Sequence, residues 1–372
     1  MAFTHAVAAI RVPSRYASAH RRTTMRPVDD YLNAALSGNR RGAWRLARDL
    51  LESGASFEQV VDELLVPAQH EIGERWYRRE ATVSDEHLVT GITESALERM
   101  GALTLPNEGH GGHVVVCCPE QEPHTLPGRM FADLLRSRGW SVAFLGASNP
   151  PRDVGVFLDR IRPTALVISC FLPLHYTGVA TLTEVSHRYS IPVLAGGRSL
   201  ERRPHIAARL GSDGEARDID AVDRILQAWD QAPPTDLAEP SLRLEGIELE
   251  GRADDIAAAV SAELLAQWSP LTGSDRRLLD RAEDGLAVLI RFAAAAVLVD
   301  DPSVFDEHLS WLGPLVATLG LPDDALLAVL DTTATALVGD CPEAAALLTH
   351  HAIDLRSPDR DRRDVNPANL RR

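Results

Sequence analysis

The chain has 372 residues, enough for two or three domains each with its own core. It carries 38 basic and 53 acidic residues, a formal charge of −15, which argues against broad binding to nucleic acid or to an anionic membrane surface. All 38 basic residues are arginine, which excludes mechanisms that need a lysine amine, among them a phosphate-loop lysine and a Schiff base.

Residues 1–27 read as a disordered basic lead, with Arg11, Arg15, Arg21, Arg22 and Arg26 ahead of the first acid, Asp29. The lead has no apolar periodicity that would make a DNA recognition helix, and its apolar run Ala6 to Ile10 is too short for a secretory signal. From about Asp29 to Met100 apolar residues recur at three- and four-residue spacing, which predicts a four-helix bundle over 28–108. Gly54 ends one helix, and Ser56 with Gln59 spells a capping box for the next, which should run to about Arg79 with a bend at Pro67. Thr82, three residues before Asp85, starts the last helix.

After Gly109, Gly111 and Gly112 the pattern changes. Short apolar runs at Val114 to Cys118, Ser141 to Leu145, Ala165 to Ser169 and Pro192 to Ala195, with a fifth near Asp213, alternate with amphipathic segments. Strands alternating with helices predict a doubly wound parallel sheet over 109–231, whose ligands sit at the carboxyl ends of the strands. Here that edge is Pro119 to Gly128, Ser169 to Pro173, and Gly196 with Gly197. Pro233, Pro234, Pro240 and a cluster of acids predict a linker over 232–254. Residues 255–356, rich in Ala and Leu, predict an all-helical domain, with helix starts at Ser274-Asp275, Asp301-Pro302, Pro322-Asp323 and Pro342. The tail 357–372, dense in Arg and Asp, reads as disordered. Cys117, Cys118, Cys170 and Cys341 form no C-x-x-C pair, so neither a zinc site nor a disulfide framework is expected. A reducing cytoplasm is the expected compartment, and no window is apolar enough to span a membrane.

One loop carries chemistry. In Glu122-Pro123-His124-Thr125-Leu126-Pro127-Gly128, after the first strand, a histidine faces the ligand edge and Glu122 could hold one of its ring nitrogens, the arrangement that fixes a metal-ligating imidazole. Alone, such a histidine is more often a solvated or capping side chain. Together with Ser169-Cys170-Phe171 and then Gly196-Gly197, the run resembles the cobalamin-binding signature D-x-H-x-x-G, S-x-L, G-G. The resemblance covers about Gly112 to Trp229 and implies a flavodoxin-like fold. It also implies His124 as the lower axial ligand of cobalt, with Glu122, Thr125, Leu126, Ser169, Phe171, Leu172, Gly196 and Gly197 around the cofactor and its nucleotide tail. The chain departs from that signature in Glu122 for Asp, Pro127 for Gly with Gly128 next, and Phe171 for Leu.

Trp76, nine residues and then Glu86-His87 match W-x9-E-H, so the bundle resembles the cap of light-sensing adenosylcobalamin proteins of the CarH type. The resemblance implies that Trp76 covers the upper ligand while Glu86 and His87 hydrogen-bond the adenosyl group. Trp76 also continues the stripe Leu65, Ala68, Ile72, which by itself reads as core. Where that family has a histidine after the cap tryptophan this chain has Tyr77, which leaves His87 as the nearest imidazole for a light-state cobalt.

The order cap, cobalamin domain, globin-like helical domain resembles photocobilins, photoreceptors that add a bilin such as biliverdin. That implies noncovalent bilin binding, with Arg291, His308, Trp311 and His350 as candidate contacts beside Trp268 and His351. The expected function is an adenosylcobalamin-dependent photoreceptor rather than an enzyme, acting through a homo-oligomer such as a dimer or a separate signalling partner, with no direct contact to nucleic acid or membrane. The alternatives are a corrinoid methyl carrier of a methyltransferase system and a light-independent cobalamin sensor.

Overall fold

The computed structural model describes residues 25–106, 109, 111–201, 203–216, 218–267, 276–318 and 324–356. They divide into two compact units, one ending at Pro240 and one starting at Ser241. Of the lead expected over 1–27, residues 25–27 are helical and open the first helix, while residues 1–24, the tail over 357–372, Trp268 and the Ser274-Asp275 and Pro322-Asp323 starts lie outside the described residues.

The first unit opens with the bundle: α1 (Met25–Leu36), α2 (Arg40–Glu52), a long third helix and α5 (Val83–Thr104). The third helix runs as α3 (Phe57–Val60), a π segment (Val61–Leu65) and α4 (Val66–Tyr77). Both expected capping boxes form, Ser56 with Gln59 and Thr82 with Asp85, so the first-turn N–H groups find acceptors without tertiary help. Pro67 has no N–H, and its ring crowds the carbonyl four residues back. Instead of breaking, the helix widens just before it, with Val66 N–H donating to the Val61 carbonyl in a five-residue turn.

Behind the bundle lies a parallel sheet of β1 (His113–Cys117), β2 (Ser141–Gly146), β3 (Ala165–Ser169), β4 (Val193–Gly196) and β5 (Gly214–Glu215) in the order β2-β1-β3-β4-β5. This is the flavodoxin-like order, whose switch point lies between β1 and β3. β3 is buried along its whole length, as a central parallel strand covered on both faces must be. The connecting helices are α6 (Thr125–Ser137), α7 (Pro151–Ile161), α8 (Tyr176–His187), α9 (Pro204–Arg209) and α10 (Ile219–Gln231).

Helix α6 belongs to both layers. Its Leu126 and Met130 join the buried apolar cluster of the bundle formed by Tyr31, Leu64, Leu65, Val89 and others. Ala132 and Leu135 join the cluster against the sheet with Val114, Val116 and Trp140. At its C-terminal end Arg138 bridges Glu58 of the bundle, at 2.8 and 3.0 Å, and Asp220 of α10, at 2.9 Å.

The second unit is all-helical: α11 (Leu244–Gly251), α12 (Ala253–Gln267), α13 (Arg276–Leu298), α14 (Ser303–Thr318), α15 (Ala325–Leu337) and α16 (Pro342–Arg356). The linker expected over 232–254 is shorter than its composition suggests. The prolines confine the irregular segment to 232–243, and the acid-rich stretch after it is α11, an integral part of the unit. A Cβ on Gly246 would stand 2.5 Å from Leu298 Cα, so α11 and α13 touch backbone to backbone there. Leu249 is fully buried, and Glu245 Oε1 accepts the Ala344 N–H in the first turn of α16. Among the described residues no helix is long and apolar enough to cross a membrane.

Candidate functional site

The loop between β1 and α6 ends at His124, the residue that precedes the first helical turn. Glu122 is fully buried there, and among the described residues its carboxylate takes hydrogen bonds from the loop after the third strand and from His124. Oε1 accepts the His124 backbone N–H at 3.1 Å and faces His124 Nδ1 at 2.5 Å. Oε2 accepts the N–H groups of Phe171 and Leu172, at 2.9 and 3.0 Å, from the loop after β3. His175 brings its Nε2 to 3.8 Å of Oε2.

Burial pushes the Glu122 carboxyl up, but the hydrogen bond from His124, the electrostatic influence of the His175 and His124 imidazoles and the Leu172 backbone donor outweigh it, leaving Glu122 below the ordinary carboxylate range. An ionised carboxylate only accepts. His124 Nδ1 therefore carries the proton, and the Nε2 lone pair is the one left to a metal, the tautomer a carboxylate-held metal histidine needs. Burial holds His175 below the ordinary histidine range, and pushes Cys118 up to about 12 and Cys170 well up. The thiols beside the loop are protonated and inert at neutral pH.

The other residues expected at this edge converge on the same place. Ser169 pairs in register with Gly196, and Cys170 N–H donates to the Gly196 carbonyl at 2.9 Å. Gly197 has φ +103°, and a Cβ there would stand 2.4 Å from the Cys170 carbonyl oxygen. Only glycine fits that conformation and that approach. A Cβ on Gly128 would lie 3.1 Å from Ser169 Cβ, so the small residue the signature asks for at helix entry is supplied by Gly128, one position after Pro127. Phe171 stacks on the His124 ring, with centroids 4.4 Å apart and planes at 29°. Thr125 is half-buried in the first helical turn, whereas Leu126 points into the bundle core.

In the bundle, Glu86 is buried in the first turn of α5 and begins a polar chain that sequence reasoning missed. Thr90 Oγ1 lies 3.0 Å from Glu86 Oε1 and 2.9 Å from Gln69 Oε1, Gln69 Nε2 donates to Thr93 Oγ1 at 2.9 Å, and Thr93 Oγ1 lies 3.1 Å from the Tyr31 hydroxyl. Burial pushes Tyr31 up to about 12, so the chain ends in a neutral hydroxyl. His87 is largely exposed, with Nε2 3.7 Å from Glu86 Oε2. Trp76, near the end of α4, is half-buried, which suits a residue at the rim of a core better than one at its centre.

In the second unit the four expected bilin contacts sit in different surroundings. His308 is 5% exposed, stacks on Phe292 with centroids 3.9 Å apart, and lies 6.0 Å from the Trp311 ring. Its Nε2 is buried with no hydrogen-bond partner among the described residues, and burial holds its pKa down to about 3. Arg291 is paired with Asp254 at 2.6 Å. His350 is exposed, and its neighbour His351 is the one turned inward, 5.2 Å from the Phe305 ring. Adjacent residues on a helix differ by about 100°, so sequence alone could not choose between the two histidines.

Comparison with known proteins matches both layers of the first unit. Residues 28–100 match one family described as a B12 binding domain, and residues 112–222 match a second family with that description. Residues 28–222 thus carry two adjoining matches to B12 binding domains. The chain is 32% identical over 157 residues to the HTH-type transcriptional repressor CarH of Myxococcus xanthus, covering 41% of this chain and 51% of that protein. It is 25% identical over 176 residues to the HTH-type transcriptional repressor CarA of the same organism, covering 47% and 58%. The chain thus spans about half the length of the curated relatives it matches. Among solved structures, the monomethylamine corrinoid protein of Methanosarcina barkeri aligns with a TM-score of 0.46 and 17% identity, over 55% of this chain and 98% of that one. A cobalamin-binding protein from Desulfitobacterium hafniense aligns with a TM-score of 0.30 and 15% identity, over 54% and 98%.

The residues of the B12-binding module fit the group its families bind. A corrin ring brings four nitrogens of its own, so the protein needs to supply one imidazole, and the proton on His124 Nδ1 leaves Nε2 for that role. Around Gly196 a Cβ would stand 3.2 Å from Ala216 Cβ, so a larger residue would fill the cradle beside the sheet edge.

Proposed function

We propose that the chain is an adenosylcobalamin-dependent photoreceptor. The observation that carries this reading is His124, tied through Nδ1 to a buried, ionised Glu122 at the switch point of the sheet and followed directly by a helix whose side chains lie in the bundle core. Adenosylcobalamin supplies a light-sensitive cobalt–carbon bond. His124 Nε2 would hold the cobalt, Ser169, Gly196 and Gly197 would border the nucleotide tail, and Trp76, Glu86 and His87 would contact the adenosyl group.

In this reading the two faces of the site are joined by α6. His124 lies at its start, while Leu126 and Met130, two and six residues on, belong to the buried apolar cluster of the bundle, where α6 lies against α3 and α5. Trp76, Glu86 and His87 would make a contact to the adenosyl group that is lost with it, and a contact made in only one arrangement of bundle and sheet is what a switch requires. Tyr77 offers no imidazole, which leaves His87, beside Glu86, as the cap imidazole that could serve cobalt in the light. The output runs through oligomer state or a separate partner. A bilin in the second unit would add absorption at longer wavelength, and the buried His308 beside Phe292 and Trp311 is the support for it.

The test is an absorption spectrum of the full chain after incubation with adenosylcobalamin and biliverdin and then desalting, before and after green and red light. Corrinoid bands that change irreversibly under green light, in step with a change in oligomer state or partner binding, are expected. A red band surviving desalting, and lost in His308→Ala, is expected for the bilin. Retained cobalamin with the same light response as the free cofactor would overturn the photoreceptor reading.

A further inference from the structure

We infer that Phe171, backed by Arg198, is a positioning residue that fixes the plane of the His124 ring and with it the direction of the Nε2 lone pair. The inference rests on the reading of His124 as the imidazole that holds cobalt. Glu122 alone fixes that direction only loosely: Nδ1 lies off the Cβ–Cγ axis, so its hydrogen bond opposes rotation of the ring, but a single hydrogen bond tolerates a tilt of about 30° before it weakens. A flat partner at 4.4 Å and 29° restricts the swing.

The partner is itself held. Phe171 is 3% exposed, and its N–H is bound to the oxygen of Glu122 opposite the one that takes His124, so one carboxylate sets both rings of the stack. The Arg198 guanidinium lies over the Phe171 ring, with Cζ 5.8 Å from its centroid. Arg198 is delivered there by Gly197, whose backbone lies against Cys170. The segment is pinned by Ser199 Oγ, which donates to the Cys170 carbonyl at 3.0 Å, and by the Tyr176 hydroxyl, which donates to the Ser199 carbonyl at 2.7 Å. A leucine at 171, as in the signature this chain resembles, has no flat face and could pack on His124 without orienting it.

The test compares the full chain with F171L, F171Y, R198Q and H124A, each first checked by thermal melting. In protein without cofactor, the His124 ring protons are expected at unusually high field from the Phe171 ring current, to return to ordinary positions in F171L, and to stay shifted in F171Y. With cob(II)alamin bound, the electron paramagnetic resonance spectrum is expected to show nitrogen coupling from His124 in wild type and F171Y. In F171L part of that signal is lost to a form without the histidine, and affinity falls roughly two- to tenfold, the worth of one aromatic pair. R198Q is expected to move the ring protons the same way by less, and it decides the matter should F171L not fold. Unchanged ring shifts in F171L, or unchanged coupling and affinity, would overturn the inference. Wild-type coupling identical to H124A would instead sink the axial reading, with the cofactor-free ring shifts still deciding whether the stack holds the ring.

Discussion

Replacing Glu122 by Gln tests the reading of the site at its hinge. The four groups that converge on this carboxylate are the His124 N–H, His124 Nδ1 and the N–H groups of Phe171 and Leu172, at 2.5 to 3.1 Å. An amide has one accepting oxygen. If that oxygen keeps Phe171 and Leu172, its NH2 faces the His124 N–H and Nδ1, and His124 can answer only by taking its proton to Nε2. That removes the lone pair a metal needs. The loss is one hydrogen bond to a charged group, about 1.5–3 kcal/mol, or roughly 10- to 100-fold in affinity, as for other groups that hold a metal's histidine. Titration of the full chain with adenosylcobalamin, read by absorbance, measures it. E122D, which keeps the charge and matches the aspartate of the signature, is expected to lose far less. An E122Q protein that bound within threefold of wild type, with the spectrum of a histidine-held corrinoid, would refute the tautomer argument.

Other outcomes follow from the same structure. Thr93→Val leaves both Gln69 Nε2 and the Tyr31 hydroxyl without Thr93 inside the bundle; at about 1–3 kcal/mol for each stranded group, urea unfolding should show a loss of about 2–6 kcal/mol. Gly197→Ala puts a Cβ 2.4 Å from the Cys170 carbonyl at φ +103°, so cobalamin should no longer survive desalting while far-ultraviolet circular dichroism stays close to wild type. His308, with its pKa held down to about 3 by burial, binds its proton in the unfolded state at a pH where the folded state refuses it. Its contribution is fully present above the unfolded value near 6.5 and is lost as pH falls from there toward the folded value. The second unit should be about 2 kcal/mol less stable at pH 5 than at pH 7 on this account, since each pH unit in that window is worth about 1.4 kcal/mol. Calorimetry of the full chain should show this pH dependence reduced in His308→Phe.

The first unit was legible because its signals are local. Capping boxes at Ser56 and Thr82, alternating apolar runs and paired glycines each act within a few residues, and the structure follows them nearly residue for residue. What was not legible depends on chain separation. His175 reaches Glu122 across 53 residues and Thr93 meets Tyr31 across 62, and no spacing rule brings such pairs together. The linker was read too long because α11 mixes acids with leucines, and its burial against α13 depends on Gly246, which composition registers as a breaker. In the second unit the sequence offered several histidines and one arginine as contacts, and helix phase, set only by packing, turned His308 and His351 inward and left His350 outside.

The departures from the cobalamin signature share one physical logic. Pro127 falls in the first turn of α6, where an N–H has no helical partner and a fixed φ is already right, so helix entry loses nothing by it. The need for a small residue does not disappear but moves to Gly128, which meets Ser169. Glu122 is one methylene longer than the aspartate it replaces, and that length lets a single carboxylate bind its own loop through Oε1 and the loop after β3 through Oε2. Once Phe171 N–H is fastened to the carboxylate that also holds His124, the two rings are brought side by side, and an aromatic residue at 171 converts that proximity into a stack. Each change is tolerable alone; together they give the imidazole two constraints, a hydrogen bond at Nδ1 and a flat neighbour.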